Sequence, residues 1–224
     1  MISSLDGRLH SSRWSDSADG SRAEWSGVYQ DVHERLDGDA WIVGRITMAE
    51  MTAADAHVPA GPVAVERPHH FAAPGADSFA IALDPAGKLH FHGPDMDGDH
   101  LVMLLGRDVP DSHLAELTAD GISYIVAENT PIDLASMLDV LNRELGISRL
   151  LLEGGAAINR SFFTAGLVDE LSLLVAPAID GRSESPAFIG SGSIGLADQV
   201  QLSLTSCQLL EHGVVHLRYL VAAA

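Results

Sequence analysis

The stretch "LLLEGGAAINR", residues 150–160, decides the fold. The residues leading into it, 148–152, make a compact aliphatic run bounded by turn residues, which reads as a short strand covered on both faces. Residues 156–163 then take helical spacing. A strand that stops at Glu153-Gly154-Gly155 and turns into a helix leaves free backbone N–H groups and the positive end of the helix dipole at the strand's carboxyl edge. Anions bind at such a junction. Without side chains, Gly154 and Gly155 let a phosphate or a flat ring approach the main chain closely. Two glycines there weaken the helix by about 0.5–1 kcal/mol each relative to alanine, which favours a functional reason for them. Glu153, an acid closing a buried apolar strand, needs a partner or a ligand.

The same device occurs earlier in the chain. "DAWIVG", 39–44, is a second buried strand, and "RITMAEMTAAD", 45–55, follows it as a helix, so Gly44 is another strand–glycine–helix junction. Arg45 and Thr47 beside it favour an anion site over a mere turn glycine. Upstream, the short strand 1–4 is clipped, as in a chain that begins a few residues late. Residues 7–21 are rich in Ser, Asp and Gly and read as an active-site type of loop. Trp25, Val28, Val32 and Leu36 then recur on one face of a helix ending near Gly38. Trp25 and Trp41 read as core anchors, with Trp25 also placed to wall a pocket.

Residues 56–75 are Pro/Gly/His-rich and read as loop. "SFAIALD" (78–84), "HLVMLLG" (100–106) and "ISYIVAE" (122–128) are strands, and "PDSHLAELTADG" (110–121) and "IDLASMLDVLNRELG" (132–146) are helices bounded by proline and glycine. Strands and helices alternate as far as residue 165, which argues for a mostly parallel sheet. "DELSLLVAP" (169–177), "VQLSLTSCQLL" (200–210) and "VVHLRYLVA" (214–222) lack intervening helices and predict antiparallel edge strands added to that sheet. "GSGSIG", 190–195, matches a dinucleotide fingerprint formally, but no strand leads into it and no helix leads out, so it reads as a loop.

Composition limits the function classes. The chain has 224 residues, 46% hydrophobic, enough for one sizeable core, and we read residues 1–224 as a single α/β domain. A formal net charge of -18 opposes nucleic acid or an anionic membrane as partner. No apolar stretch approaches the roughly 20 residues needed to cross a bilayer, and the N-terminus lacks the basic start and apolar core of a secretory signal. With a single Cys207, read as a small buried hydrophobe, a cytoplasmic protein is expected. Among eleven histidines, His90 and His92 share one face of a strand, but no third ligand stands at a recognisable spacing, so no metal is expected. His69 and His70 read as solvated loop residues.

"SSLDGRL" (3–9), "AWIVGRITMAE" (40–50) and "LLLEGGAAINRSFFTAGLVDELSLLVAPAIDG" (150–181) together resemble the reductase (C-terminal) domain of the bifunctional riboflavin-biosynthesis deaminase–reductase family. The motifs stand in the family's order and the resemblance covers essentially the whole chain. It implies a dihydrofolate reductase-like three-layer fold, a homodimer, and NADPH-dependent reduction of a pyrimidine ribosylamine phosphate, hydride passing to the sugar C1′. On that resemblance Gly44, Arg45 and Thr47 hold the cofactor's phosphates, and Gly154, Gly155, Ala156 and Ala157 form its second cradle. Asp6 and Glu153 become the catalytic candidates, as orienting or polarising groups, and Ser4, Asp6, Trp25 and Glu153 the substrate-binding set.

Two departures from the family stand out. A chain with one cysteine has no zinc-deaminase half. The family's Asp-x-Pro-x-Leu-x-x-Arg segment for the sugar phosphate is represented only by "DAHVPAGPVAVERP" (55–68), with Asp55, Pro59 and Arg67 at stretched spacing. Two other readings therefore stand beside the first. One is a dihydrofolate reductase-type activity, which needs an acid on the first helix from Glu24, Asp31 or Glu34. The other is a non-catalytic NADPH-binding sensor.

Overall fold

In the computed structural model, which describes residues 1–193 and 195–224, the chain begins with β1 (Ile2–Ser3), α1 (Arg22–Leu36), β2 (Ala40–Gly44) and α2 (Arg45–Met51). It continues through β3 (His69–His70), β4 (Phe79–Asp84), β5 (Asp95–Met96), β6 (Asp99–Leu105), α3 (Asp111–Ala119), β7 (Ser123–Val126) and α4 (Leu134–Leu145). The last elements are β8 (Leu150–Gly154), α5 (Ala156–Thr164), β9 (Glu170–Val175), β10 (Val200–Leu209) and β11 (Val215–Ala223). Contacts divide the chain into two compact units, Gly38–Glu153 and Met1–Asp37 with Gly154–Ala224.

In the Gly38–Glu153 unit the strand order is β3-β7-β6-β4-β2-β8, with β5 beside β6. β2, β4, β6 and β7 run parallel, and β3 and β5 are antiparallel additions. The aliphatic strands β4 and β6 are buried almost throughout, as the middle of a sheet covered on both faces must be. Met48, Ala80, Met103, Leu105, Leu114, Leu117 and Tyr124 pack in one cluster. Asp39 fixes how β8 joins: its Oδ2 accepts from the Ser148 and Arg149 N–H groups, at 2.8 and 2.7 Å, while its own N–H donates to the Arg149 carbonyl. β2 and β8 therefore start side by side and run the same way. At Gly38 a Cβ would lie 2.6 Å from the Leu151 side chain, so only glycine allows this approach.

In the other unit the order is β1-β9-β11-β10, with β1 parallel to β9 and the remaining pairs antiparallel. α1 starts at a capping box, the Ser21 side chain accepting from the Glu24 N–H and the Glu24 carboxylate from the Ser21 N–H. Its buried face, Trp25, Val28 and Val32, packs with Trp14, Leu174, Ala176 and Val214.

The α/β class, with a mostly parallel sheet and antiparallel C-terminal strands, is the one expected. The partner of the C-terminal strands is not: β9 pairs with β1, in register Ile2↔Leu174 and Ser3↔Val175, so these strands form a ladder with the start of the chain. β3, two residues long, interrupts the segment read as loop, and β5, also of two residues, is a strand that the sequence reading did not include. His90 and His92 lie outside any strand, which removes their shared face. Cys207 is exposed on β10, the edge strand, and is no core residue. No helix among the described residues is long and apolar enough to cross a membrane. Part of the 190–195 glycine run, Ile194, lies outside the described residues.

Candidate functional site

In the unit that contains both chain ends, the loop after β1 is built around one carboxylate. Asp6 Oδ1 accepts from the Ser4 hydroxyl at 2.6 Å and from the Asp180 N–H at 3.1 Å, and Oδ2 accepts from the Gly181 N–H at 2.9 Å. The Ser4 hydroxyl oxygen in turn accepts from the Arg8 N–H at 3.0 Å. The Ser4 hydroxyl and then the Gly181 and Asp180 amides hold the Asp6 carboxyl well below its ordinary value, at about 2. Asp6 is ionised at neutral pH and accepts hydrogen bonds; it holds no proton to donate.

The partner segment, residues 178–190, is stitched along this loop. Leu5 N–H donates to the Ala178 carbonyl, Leu9 N–H to Pro186 and Phe188 N–H to Gly7. Gly7 adopts φ +76, a left-handed turn that favours glycine. Arg8 Nη1 donates to the Ser185 carbonyl at 2.6 Å, and Arg13 Nη1 reaches the Ser185 hydroxyl at 3.4 Å. Arg8 Nε and both Asp180 carboxylate oxygens are buried with no hydrogen-bond partner among the described residues. Their charges are met at ion-pair distance, Arg8 Nε by Asp6 Oδ2 at 4.0 Å and Asp180 Oδ1 by Arg182 Nε at 3.8 Å, which leaves hydrogen-bonding capacity for a ligand or a water.

The same segment reaches the start of α5. Gly190 N–H donates to the Ala156 carbonyl at 2.8 Å, and a Cβ on Gly190 would stand 2.8 Å from that oxygen. The fully buried Asn159 donates from Nδ2 to the Phe188 carbonyl at 2.6 Å. Gly154 has φ +111, a conformation that an L side chain rarely adopts, and the Gly154–Gly155 peptide is cis. Gly155 is the N-cap of α5 and provides no side-chain cap, so the first-turn N–H groups gain no partner from their own cap residue. Ala156 and Ala157 follow, half-buried and exposed.

In the Gly38–Glu153 unit, Gly44 ends β2 and caps α2 at φ -78, which any residue adopts; a turn requirement does not explain this glycine. Arg45 and Thr47, both half-buried, stand in the first turn. α2 has only seven residues, so its dipole is weaker than sequence spacing to residue 55 implied. Glu153, half-buried, is at the carboxyl end of β8, the strand next to β2. Carboxyl ends of neighbouring parallel strands are where sheets of this class gather ligands.

Two expected residues serve the framework. Trp25 is 2% exposed and its Nε1 donates to the His212 carbonyl, so it anchors the core and offers no face to a substrate. Arg67 donates to Asp111 and to the carbonyls of Val109 and Arg107, which commits the stretched 55–68 segment's arginine to the start of α3. Of the helix acids, Glu24 is bound into the capping box and Asp31 and Glu34 are exposed. Sequence reasoning assigned no role to Arg8, Asp180 or Asn159. All three sit inside the motifs already quoted.

The RibD C-terminal domain family model matches residues 1–216. A 2,5-diamino-6-ribosylamino-4(3H)-pyrimidinone 5′-phosphate reductase from Methanothermobacter thermautotrophicus is 31% identical over 135 residues, 59% of this chain and 62% of that protein. The riboflavin biosynthesis protein RibD of Bacillus amyloliquefaciens is 37% identical over 90 residues, 40% of this chain and 24% of its own length. The matches thus span less than two thirds of either relative. Among solved structures, a pyrimidine reductase-like protein from Corynebacterium diphtheriae superposes with TM-score 0.69 at 22% identity, covering 100% of this chain and 90% of the other. Acinetobacter baumannii RibD gives 0.63 at 23% identity, covering 99% and 56%.

Proposed function

The chain belongs to the RibD C-terminal domain family, and from that premise we propose that it is an NADPH-dependent reductase of the riboflavin-biosynthesis type. Its substrate is a pyrimidine ribosylamine phosphate or a closely related small molecule, as the name of the archaeal relative suggests. The observation that carries this reading is the hydrogen-bonding capacity left beside Asp6: Arg8 Nε and the Asp180 carboxylate are buried without a hydrogen bond among the described residues, facing Asp6 and Arg182 only at ion-pair distance. A polyhydroxyl phosphate supplies donors to the acid and an anion to the arginine.

The residues fit a dinucleotide as well. Gly154 and Gly155 bring no side chain to the start of a nine-residue helix, and the Ala156 and Ala157 N–H groups in its first turn suit a pyrophosphate. In the Gly38–Glu153 unit, taken by itself, Arg45 and Thr47 give a fixed cation and a hydroxyl for a phosphate. Bound NADPH supplies the hydride, so the protein's work is orientation and exclusion of water. We assign Asp6 as a positioning group that locks residues 180–181 and Glu153 as the group that polarises the reacting ring. The Glu24 capping box counts against a dihydrofolate reductase-type acid on α1. We further assign a cytoplasmic homodimer, with the apolar edge strand β10 as its interface.

NADPH and NADH binding by the purified protein, then NADPH oxidation with the ribosylamine phosphate and with dihydrofolate separately, test this. Turnover of the ribosylamine alone is expected. Tight NADPH binding with no turnover of either would replace the reductase by a sensor, and no binding of either nucleotide would remove both readings. Arg45→Ala should weaken NADPH far more than NADH; equal losses would end its phosphate role.

A further inference from the structure

Sequence spacing offered only His90 and His92 as a pair, but the fold brings His90 to a different set. One ring nitrogen each of His90 and His113 and a carboxylate oxygen of Glu116 all lie within 4.8 Å of one another, and His57, Glu116 and Asp120 form a second such group that shares Glu116. His113 and Glu116 stand one turn apart on α3, His90 comes from the connection after β4, and His57 from the segment after α2. All belong to the Gly38–Glu153 unit.

We propose that His90, His113 and Glu116, with His57 as fourth ligand and Asp120 orienting His57, bind a divalent transition-metal ion of the zinc class. Two imidazoles and a carboxylate are a donor set suited to zinc, and a third imidazole as fourth ligand completes a tetrahedron. Tetrahedral bonds of about 2.0–2.1 Å place donor atoms about 3.3 Å apart. His90 Nδ1, at 2.6 Å from Glu116 Oε1, has to move back by under an ångström, and His57 Nδ1, 3.4 Å from the same oxygen and 3.4 Å from the Asp55 carbonyl, lies outside the His90–His113–Glu116 group and has to turn toward it to coordinate.

Two further observations point to a ligand. His113 is 5% exposed and its buried Nε2 has no hydrogen-bond partner among the described residues. Asp120 Oδ1 meets His57 Nε2 at 3.0 Å, the arrangement by which a carboxylate fixes the tautomer of a metal-binding histidine through its other nitrogen. Access exists on the His57 side, where Asp55, Ala56, His57, Phe91, His92 and Asp120 line a cavity of about 350 Å³. The opposing account is a histidine–carboxylate ion-pair network with no ion, held by the same His90–Glu116 and His57–Asp120 contacts.

The test uses tag-free full-length protein, stripped with a chelator and titrated with Co²⁺ as a spectroscopic probe, then competed with Zn²⁺. One equivalent per chain giving a visible d–d band that Zn²⁺ abolishes is expected. Glu116→Gln and His90→Ala should each weaken Co²⁺ at least tenfold, and His92→Ala should leave it unchanged. Should Glu116→Gln fail to fold, His57→Ala decides, because that side chain is 40% exposed and its removal spares the core. No band, or affinity unchanged in the variants that fold, overturns the site in favour of the ion-pair network.

Discussion

Asp6→Asn separates what the Asp6 carboxylate does from where it sits. Asparagine keeps the volume and one carbonyl oxygen, so the Ser4 and Asp180 donors retain an acceptor, but the amide NH₂ then faces the Gly181 N–H, donor against donor. The shift of the acid from 3.8 to about 2 is equivalent to about 2.4 kcal/mol before screening. The side chain is 30% exposed in an exposed residue, so screening reduces this to about 1 kcal/mol. One charge-assisted bond lost outright keeps the expected cost at about 1–2 kcal/mol. Because the folded-state pKa is depressed, the contribution is complete above the unfolded value of 3.8 and disappears as pH falls through about 2. Urea denaturation of both proteins from pH 7 downward should therefore show a deficit that is constant to about pH 4 and narrows below it. The pH profile of turnover should keep its shape, since Asp6 gives up no proton. Equal stability at pH 7, a deficit that widens in acid, or a displaced acidic limb in the turnover profile would refute the positioning role.

Three further outcomes follow from the geometry. Gly106→Ala would set a Cβ 2.2 Å from the Pro85 carbonyl oxygen, a backbone atom that cannot swing away; a loss of about 1–3 kcal/mol or more is expected, and unchanged denaturation would contradict the close approach. His216 is buried, with Ser172 Oγ at 2.9 Å, and burial followed by the nearby Arg218 depresses its pKa, so the folded state resists its protonation and stability declines as pH falls below 6.5. His216→Gln should flatten that decline, measured as melting temperature between pH 7 and 5, and an unaltered slope would clear His216 of it. Leu202 and Leu204, 47% and 57% exposed, share one face of the edge strand β10, and glutamate at both should turn the proposed dimer into a monomer by light scattering, while an unchanged mass would exclude β10 as the interface.

The two strand–glycine–helix junctions were legible because each is local: an aliphatic run, a glycine and a helical period occupy a dozen consecutive residues. β4, β6 and α3 were legible for the same reason, whereas β3 and β5 are two-residue ladders whose existence depends on what pairs with them. The Asp6 clamp joins residues 174 and 175 positions apart, and His57 meets Asp120 across 63. Nothing in local spacing encodes such pairs, apart from the i,i+3 step of His113 and Glu116. Trp25 shows the converse difficulty, since an aromatic after a polar loop reads equally as pocket wall or core, and only the Trp14–Trp25 contact at 6.0 Å and the His212 carbonyl decide it.

Gly44 and Gly154 look alike as letters and differ in backbone, and the difference makes their substitutions informative as a pair. At φ -78 Gly44 occupies a region open to every residue, so Gly44→Ala asks the chain only to accept a poorer helix cap, about 1 kcal/mol or less. At φ +111 Gly154 is held where a side chain is strained, so Gly154→Ala should cost about 1–3 kcal/mol whatever space surrounds it. If Gly44 is present because a phosphate lies against the main chain, Gly44→Ala loses NADPH affinity at nearly wild-type stability. Gly154→Ala loses both together and by itself cannot separate fold from ligand. Nucleotide titration and denaturation on the two variants side by side make the distinction, and a Gly44→Ala protein that binds NADPH as tightly as the parent would leave Arg45 and Thr47 without the bare backbone that their proposed role requires.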